Sequence, residues 1–255
     1  MSKVTFFPLF KPDDVVRLCA TALEADIEVE YVQTLIRKRG LLPDLSIATP
    51  EHWPCPVKIH TLGRFALVVE DQPITFGRKA QRKPLELLKA LIARGGRDVP
   101  QASIADTLWP DAEGDNAQQA LTTTTHRLRR LLRHEQALGV SDGRLFLDPR
   151  YCWVDVWNLE RHLNEALGCV SQIHDASKPE QLKPLTQILL KEYRGSFLGQ
   201  DTEPWAIKTR ERLRDKYLKC LNELGATWKA RGDQEMVRAC YEQRLEVENA
   251  LGRGN

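Results

Sequence analysis

The chain has 255 residues and a net charge of +2, so its length allows two domains and any nucleic-acid contact must be a local basic patch. No apolar run approaches the roughly 18 residues of a membrane span, and the N-terminus lacks a signal-peptide pattern. The six cysteines are scattered without a CxxC pair, which predicts reduced, mostly buried thiols in a cytoplasm and no metal site.

The N-terminal segment, residues 1–42, predicts two helical pieces between Asp13 and Lys38. Their spacing also fits a helix-turn-helix, but Glu28 and Glu30 open the second piece and would repel DNA phosphates. This favours structural packing over DNA reading. Four prolines and no periodicity follow Gly40, which predicts a linker over 43–56.

A β-rich stretch over 57–76 predicts a small sheet, and a basic run follows it. The run contains four cations, namely Arg78, Lys79, Arg82 and Lys83. It ends at Pro84, a residue suited to the first position of a helix. A helix over 85–94 is then closed by Gly95 and Gly96, and a shorter helix follows over 101–109.

The segment from Asn116 to Arg133 predicts an amphipathic helix, with Asn116 as N-cap and Gln119 as its capping-box partner. One face is apolar: Ala117, Leu121, Leu128, Leu131 and Leu132. The opposite face is polar and then cationic: Gln119, Thr122, Thr123, His126, Arg130 and Arg133, with Arg127 and Arg129 flanking the seam. The four consecutive threonines cost helix propensity, but threonine hydroxyls and methyls can contact phosphates and bases. A solvated surface helix is the alternative.

A hairpin is predicted after this helix, because Asp142 and Gly143 form a strong turn signal between two short strands. Arg144 is placed at its tip. The order of sheet, three helices and hairpin predicts a winged helix-turn-helix, in which the third helix enters a DNA groove and the hairpin lies along the backbone.

The stretch from Val57 to Asp155 resembles the OmpR/PhoB-type winged-helix domain of SARP-like activators. The residues that carry the resemblance are TLGRF (61–65), RKPLELLKALIARGG (82–96), LWP (108–110) and HRLRRLL (126–132). The resemblance implies that Thr122, Thr123, His126 and Arg127 face the groove, that Arg130 and Arg133 contact the backbone, and that the 110–115 loop contacts RNA polymerase.

From Val156 onward the chain resembles the bacterial transcriptional activator domain (BTAD), a TPR-like helical array. The segments that carry this are CWVDVWNLERHL (152–163) and the stretches 193–221 and 224–248, the last resembling one TPR hairpin with Trp228, Gly232 and Tyr241 in place. Residues 18–42 also resemble the region before the winged helix of large STAND-type regulators. The fold class expected is therefore mainly α with small β-sheets, divided into 57–155 and 156–255.

The resulting hypothesis is a cytoplasmic, nucleoid-associated transcriptional regulator that binds double-stranded DNA and acts as an activator through RNA polymerase. Base-reading residues are Gln119, Thr122, Thr123, His126 and Arg127. Backbone contacts are Lys79, Arg82, Lys83, Arg130, Arg133 and Arg144. The helical part is assigned either to oligomerisation, as a homo-oligomer, or to the binding of a signal or partner. No cofactor, metal, membrane or catalytic motif is expected, and His60, His134, His162 and His174 are interpreted as surface or capping residues. The alternative is a protein-interaction scaffold whose winged helix binds no DNA.

Overall fold

The computed structural model describes residues 11–75, 82–171 and 179–252. Within these ranges the helices are α1 (Pro12–Glu24), α2 (Val29–Arg39), α3 (Arg82–Ala93), α4 (Gln101–Leu108), α5 (Gly114–Leu132), α6 (Asp155–Ser171), α7 (Pro179–Glu192), α8 (Pro204–Arg231) and α9 (Gln234–Gly252). The strands are β1 (Val57–His60), β2 (Ala66–Val69), β3 (Gln72–Pro73), β4 (Val99–Pro100), β5 (Leu138–Ser141), β6 (Arg144–Leu147) and β7 (Cys152–Val154). The fold is mainly α with small β-sheets, as the sequence predicted.

A four-stranded sheet has the order β3-β2-β1-β7; its first three strands precede α3 in the chain and β7 follows the β5–β6 hairpin. β1 pairs antiparallel with β2 and parallel with β7, so Val57 lies opposite both Val69 and Cys152. Alternate residues of β1 are fully buried because side chains point to opposite faces along a strand. The predicted small sheet is confirmed, and β7 closes it from 95 residues away along the chain, at Val57↔Cys152.

The winged helix-turn-helix is confirmed in the order α3, α4, α5 and the β5–β6 hairpin. Asp142 and Gly143 both have positive φ, 49° and 72°, which is the backbone that a two-residue turn of type I′ requires. β4 joins the hairpin and gives a three-stranded sheet in the order β4-β6-β5. At the end of α3, the amides of Gly95 and Gly96 donate to Ile92 O and Leu91 O, which closes the helix as expected.

Two predicted helix starts are wrong, by two residues for α3 and by three for α5. α3 begins at Arg82, so Pro84 lies inside the first turn. Amides of the first turn have no acceptor within the helix, so the missing N–H of Pro84 costs no hydrogen bond there. α5 begins at Gly114 after Glu113, and the Ala117 amide donates to Glu113 O at 2.9 Å. Because this backbone bond already closes the first turn, Asn116 is inside the helix and forms no capping box with Gln119.

The helical part, α6 to α9, shares one hydrophobic core with the winged helix. The core runs from Val57 and Leu91 through Leu159 to Tyr217 and Val247. α8 and α9 form a hairpin with Gly232 at φ 77° between them. Trp228 is buried, whereas Tyr241 is 59% exposed and lies outside the core. The division near Asp155 and the TPR assignment stay predictions.

The segment expected to be a linker, 43–56, has no regular helix or strand but is not a free tether. Trp53 is only 2% exposed and packs with α1, α2 and Trp153 in a second core. The carbonyl of Thr49 accepts hydrogen bonds from Trp153 Nε1 and Asn158 Nδ2. The four prolines remove backbone donors, and these long-range contacts hold the segment against the winged helix and α6 instead.

Among the described residues, no helix combines the length and apolar character needed to cross a bilayer.

Candidate nucleic-acid interface

α5 is amphipathic in the structure, as predicted. Ala117, Leu121, Leu128 and Leu132 are buried in the core, and Leu131 is half-buried. The threonine run is divided between the faces. Thr124 and Thr125 are 5% and 6% exposed and belong to the buried side, whereas Thr122 and Thr123 are exposed. Only half of the run is therefore available to a ligand.

The five residues predicted to read bases all lie on the exposed side of α5: Gln119, Thr122, Thr123, His126 and Arg127. Thr122 Oγ1 donates to the Gln118 carbonyl at 2.9 Å, a common bond for threonine within a helix. The hydroxyl keeps its acceptor lone pairs for an incoming group. The side chains of His126 and Arg127 make no hydrogen bond or ion pair with the residues that the structure describes.

Arg127, Arg130 and Arg133 are about one turn apart and line one open groove of about 610 Å³. Its opposite wall is the β3 region from Gln72 to Thr75. We call this the β3 groove. Sequence reasoning placed residues 72–75 in the sheet and did not connect them with α5. The sequence of residues 72–75 gave no signal of this contact, because the contact depends on how the sheet packs on the helix.

A second open groove, of about 590 Å³, lies on the other side of the α5 ridge. His126, Arg129, Arg130, Arg133 and His134 line it. Arg130 and Arg133 thus line both grooves and lie along the ridge between them. Neither has a hydrogen bond or ion pair within the described ranges, so their guanidinium groups are available to an anion.

Arg129 differs from its neighbours in the same helix. Its Nε donates to the carbonyl of Leu138 at 3.0 Å, and the side chain is half-buried. This bond ties the end of α5 to the first residue of β5, so Arg129 positions the wing relative to the helix. The basic sequence RLRR (127–130) therefore contains one structural arginine, Arg129, and two exposed arginines, Arg127 and Arg130.

The cations predicted at the start of α3 are partly neutralised. Glu86 accepts from Arg82 Nε at 2.8 Å and pairs with Lys83 Nζ at 2.9 Å. Lys83 Nζ also donates to the Leu108 carbonyl and lies 5.6 Å from the centre of the Trp109 ring. These contacts turn Lys83 towards α4. Lys79 lies outside the described residues.

Arg144 is the first residue of β6, directly after the Asp142–Gly143 turn rather than at its tip. Its Nη1 donates to Asp98 O at 3.0 Å and pairs with Asp98 Oδ2 at 3.2 Å. Both side chains are substantially exposed, so solvent screens the pair. The Arg144 side chain remains 46% exposed in this pair.

The acidic turn between α4 and α5, Pro110 to Asp115, is exposed throughout, and its last two residues form the start of α5. Nothing in the described structure covers it.

The interpretation of His162 as a surface or capping residue is wrong. His162 is 8% exposed, and its Nδ1 lies 2.8 Å from Glu192 Oε2. Burial lowers the pKa of His162, but the Glu192 bond and the charges of Glu192, Glu165 and Glu24 raise it more, so the net shift is upward. His60 and His134 are half-buried against Trp153 and Tyr151, respectively. His174 lies outside the described residues.

All six cysteines are free, and five of them are buried, which agrees with the prediction of mostly buried thiols. Burial raises the pKa of Cys55 to about 12 and that of Cys240 to about 11, so these thiols are protonated and unreactive near neutral pH. The described residues contain no group of three or more His, Cys, Asp or Glu side chains placed to bind a metal ion.

By its fold, the chain is a winged helix-turn-helix protein with an N-terminal sheet and a helical part on the same core. No protein-family profile matches it, and no curated protein matches it. Among solved structures it is similar to Mycobacterium tuberculosis EmbR in complex with a low-affinity phosphopeptide, with a TM-score of 0.48 and 17% identity over 75% of this chain. The match spans 54% of the EmbR chain, about half its length. With these values the likeness does not assign the chain to a family.

Proposed function

We propose that the protein is a sequence-specific DNA-binding transcriptional regulator in which α5 lies in the major groove. One observation carries the proposal. The third helix of a winged helix presents His126, Arg127, Arg130 and Arg133 on its exposed face, with no ion partner in the described ranges. From Gln119 to Arg133 this face is about 20 Å long at 1.5 Å per residue, enough to cross a major groove about 12 Å wide.

Residues that contact base edges and residues that bind phosphates occupy different parts of α5. Gln119, Thr122, Thr123, His126 and Arg127 occupy the part that enters the groove and offer hydroxyl, amide, imidazole and guanidinium groups to base edges. Arg130 and Arg133 hold phosphates, because they line both grooves beside the helix. Arg144, Arg82, Lys83 and Lys79 are assigned to weaker backbone contacts. Asp98 and Glu86 already offset the charge of the first three of these.

The sequence resemblance to SARP-like activators extends the proposal. The exposed acidic turn at 110–115 contacts RNA polymerase, and the helical part serves oligomerisation or the binding of a signal or partner. The protein then acts at cytoplasmic, nucleoid DNA as an activator. The helical part contacts α3 directly, because Lys89 of α3 pairs with Asp201 at 2.9 Å and Thr209 Oγ1 of α8 donates to Ala93 O at 3.1 Å; we expect a change in the helical part to act on α3 through these contacts.

The test begins with selection of the preferred duplex from random DNA by the full chain, followed by affinity measurements at several salt concentrations. Arg127→Ala should cost about 1–3 kcal/mol on the preferred duplex and much less on a scrambled one. Arg130→Ala should weaken both duplexes and lower the slope of log K against log salt by about 0.9. Arg238, an exposed arginine of α9 that pairs with Glu242 at 2.6 Å, provides a control for the loss of one positive charge outside α5 and should have no effect when changed to Ala.

The proposal is overturned if the wild type shows no preference for any duplex at any salt concentration of the series. It is also overturned if Arg238→Ala weakens binding as much as Arg130→Ala, because α5 would then be no more than one part of a diffuse positive surface.

A further inference from the structure

The C-terminal end of α2 carries three consecutive cations, and the first of them contacts the border of the β3 groove. Arg37, Lys38 and Arg39 are all exposed in the last turn of α2. Arg37 Nη2 donates to Asp71 Oδ2 at 2.5 Å. Asp71 lies in the β2–β3 turn, directly before Gln72, which lines the β3 groove. Consecutive Cα atoms are about 3.8 Å apart, so the ion pair lies at the edge of that groove.

The sheet register places the contact of α2 and the segment that follows α5 at the same end of the sheet. Val57 pairs with both Val69 and Cys152, and Val69 pairs with Gln72 beside Asp71. Cys152 Sγ lies 3.4 Å from the carbonyl of Ala137, five residues after the last residue of α5. Along the strand direction, this carbonyl and the contact of α2 with the turn therefore both lie at the end of the sheet where β1 begins, on its two opposite edge strands.

The charges at this end have separate roles. Asp71 neutralises Arg37 and fixes the end of α2 against the sheet. Lys38 makes no hydrogen bond or ion pair within the described ranges and is exposed. Cations are common in the last turn of a helix because they interact with its dipole, and that explanation would apply equally to Lys229 in the last turn of α8. Lys38 differs from Lys229 in that it directly follows Arg37, whose partner Asp71 directly precedes Gln72 in the wall of the groove that contains Arg127, Arg130 and Arg133.

We propose that the end of α2 extends the DNA-binding surface and that Lys38 contacts a backbone phosphate of the duplex held by α5. The proposal rests on the proposed function. A strand of duplex DNA carries a phosphate about every 3.4 Å along the axis, so a duplex that follows the β3 groove past Gln72 offers several phosphates to a lysine there. The N-terminal hairpin, whose second helix opens with acidic residues, then contacts DNA at its other, basic end.

The expected magnitude follows from counterion release. Each lost phosphate contact reduces the steepness of log K against log salt by about 0.9. If variant and wild type bind equally at 1 M salt, the variant therefore binds about eightfold more weakly than the wild type at 0.1 M salt. Lys38→Ala should show this loss on preferred and scrambled duplexes alike, because a phosphate contact carries no sequence information. Lys38→Glu should lose more, since it adds repulsion.

The experiment compares Lys38→Ala, Lys38→Glu and Lys229→Ala in the full chain, with Arg130→Ala as the reference for the α5 surface. Each is titrated with salt on the selected duplex, either with flanks of about one helical turn (about 10 base pairs) on both sides or with one flank removed. Lys229→Ala should bind like the wild type. Removing the flank that reaches α2 should abolish the difference between Lys38→Ala and the wild type, and removing the other flank should not.

Equal binding by Lys38→Ala, Lys38→Glu and the wild type on the flanked duplex overturns the extension. If Arg130→Ala is still weakened in that case, the proposed function stands and only the role of α2 fails. An equal loss in Lys38→Ala and Lys229→Ala also overturns it, because the effect would then follow net charge. If the wild type binds no duplex, the proposed function itself is overturned, and the extension with it.

Discussion

Asp155 should be the most sensitive single position at the junction between the winged helix and the helical part. It is the first residue of α6 and is 8% exposed. Its carboxylate accepts from Thr61 N at 2.7 Å, Thr61 Oγ1 at 2.6 Å, Leu62 N at 2.9 Å and Val156 N at 2.7 Å. Asp155→Ala removes the acceptor for all four donors at once.

The size of the loss follows from the three backbone amides. A buried donor left without a partner costs about 1–3 kcal/mol, which gives roughly 3–9 kcal/mol for three. Burial raises the pKa of Asp155 despite the opposing bonds from Thr61 and Leu62, so the ionised carboxylate itself carries a desolvation cost. Alanine removes that cost. The net loss should therefore lie near the lower end, about 3–5 kcal/mol, similar to breaking a buried ion pair.

Equilibrium urea unfolding of the full chain measures this difference, provided that the m-value is unchanged. Thr61→Val is the partner variant, because it removes only the hydroxyl donor and should cost about 1.5–3 kcal/mol. The double variant should cost less than the sum, since Thr61 Oγ1 has no carboxylate to bond in Asp155→Ala. A loss below about 1 kcal/mol for Asp155→Ala, or strict additivity in the cycle, would refute this account of the junction.

Two further predictions concern stability. Gly96→Ala should cost about 2–4 kcal/mol of unfolding free energy in urea, because φ is 73° and the added Cβ would lie 2.5 Å from Trp157 Cζ2. Gly95→Ala is the control, because its added Cβ meets no atom within 4 Å and should cost only the backbone strain of a positive φ. Equal losses in the two variants would contradict the packing argument. The raised pKa of His162 means that its pair with Glu192 stabilises fully below the unfolded value of about 6.5 and loses that effect as pH rises through the folded pKa. The stability difference between wild type and Glu192→Gln should therefore shrink as the pH rises from about 6.5 through the higher pKa of His162 in the folded protein, and a constant difference would contradict it.

The local periodicity of the sequence was enough to predict the winged helix. The leucine spacing of α5 decided which face is buried, because a helix repeats every 3.6 residues and an apolar stripe must pack against the core. Asp142 and Gly143 decided the wing, because few residue pairs accept the left-handed backbone that a tight hairpin requires. These features depend on residues within a few positions of one another, and the sequence displays them directly.

The tertiary structure alone decided the roles of residues that look alike in the sequence. Arg129 is bonded to Leu138, whereas Arg130 is free in the described ranges, although the two arginines are adjacent. Thr124 and Thr125 are buried because the core of the winged helix extends around that part of α5. The β3 wall of the groove, the packing of residues 43–56 and the bonds of Asp155 to residues more than 90 positions away also depend on long-range contacts. Such contacts follow from how whole elements pack together, and no local pattern of residues encodes them.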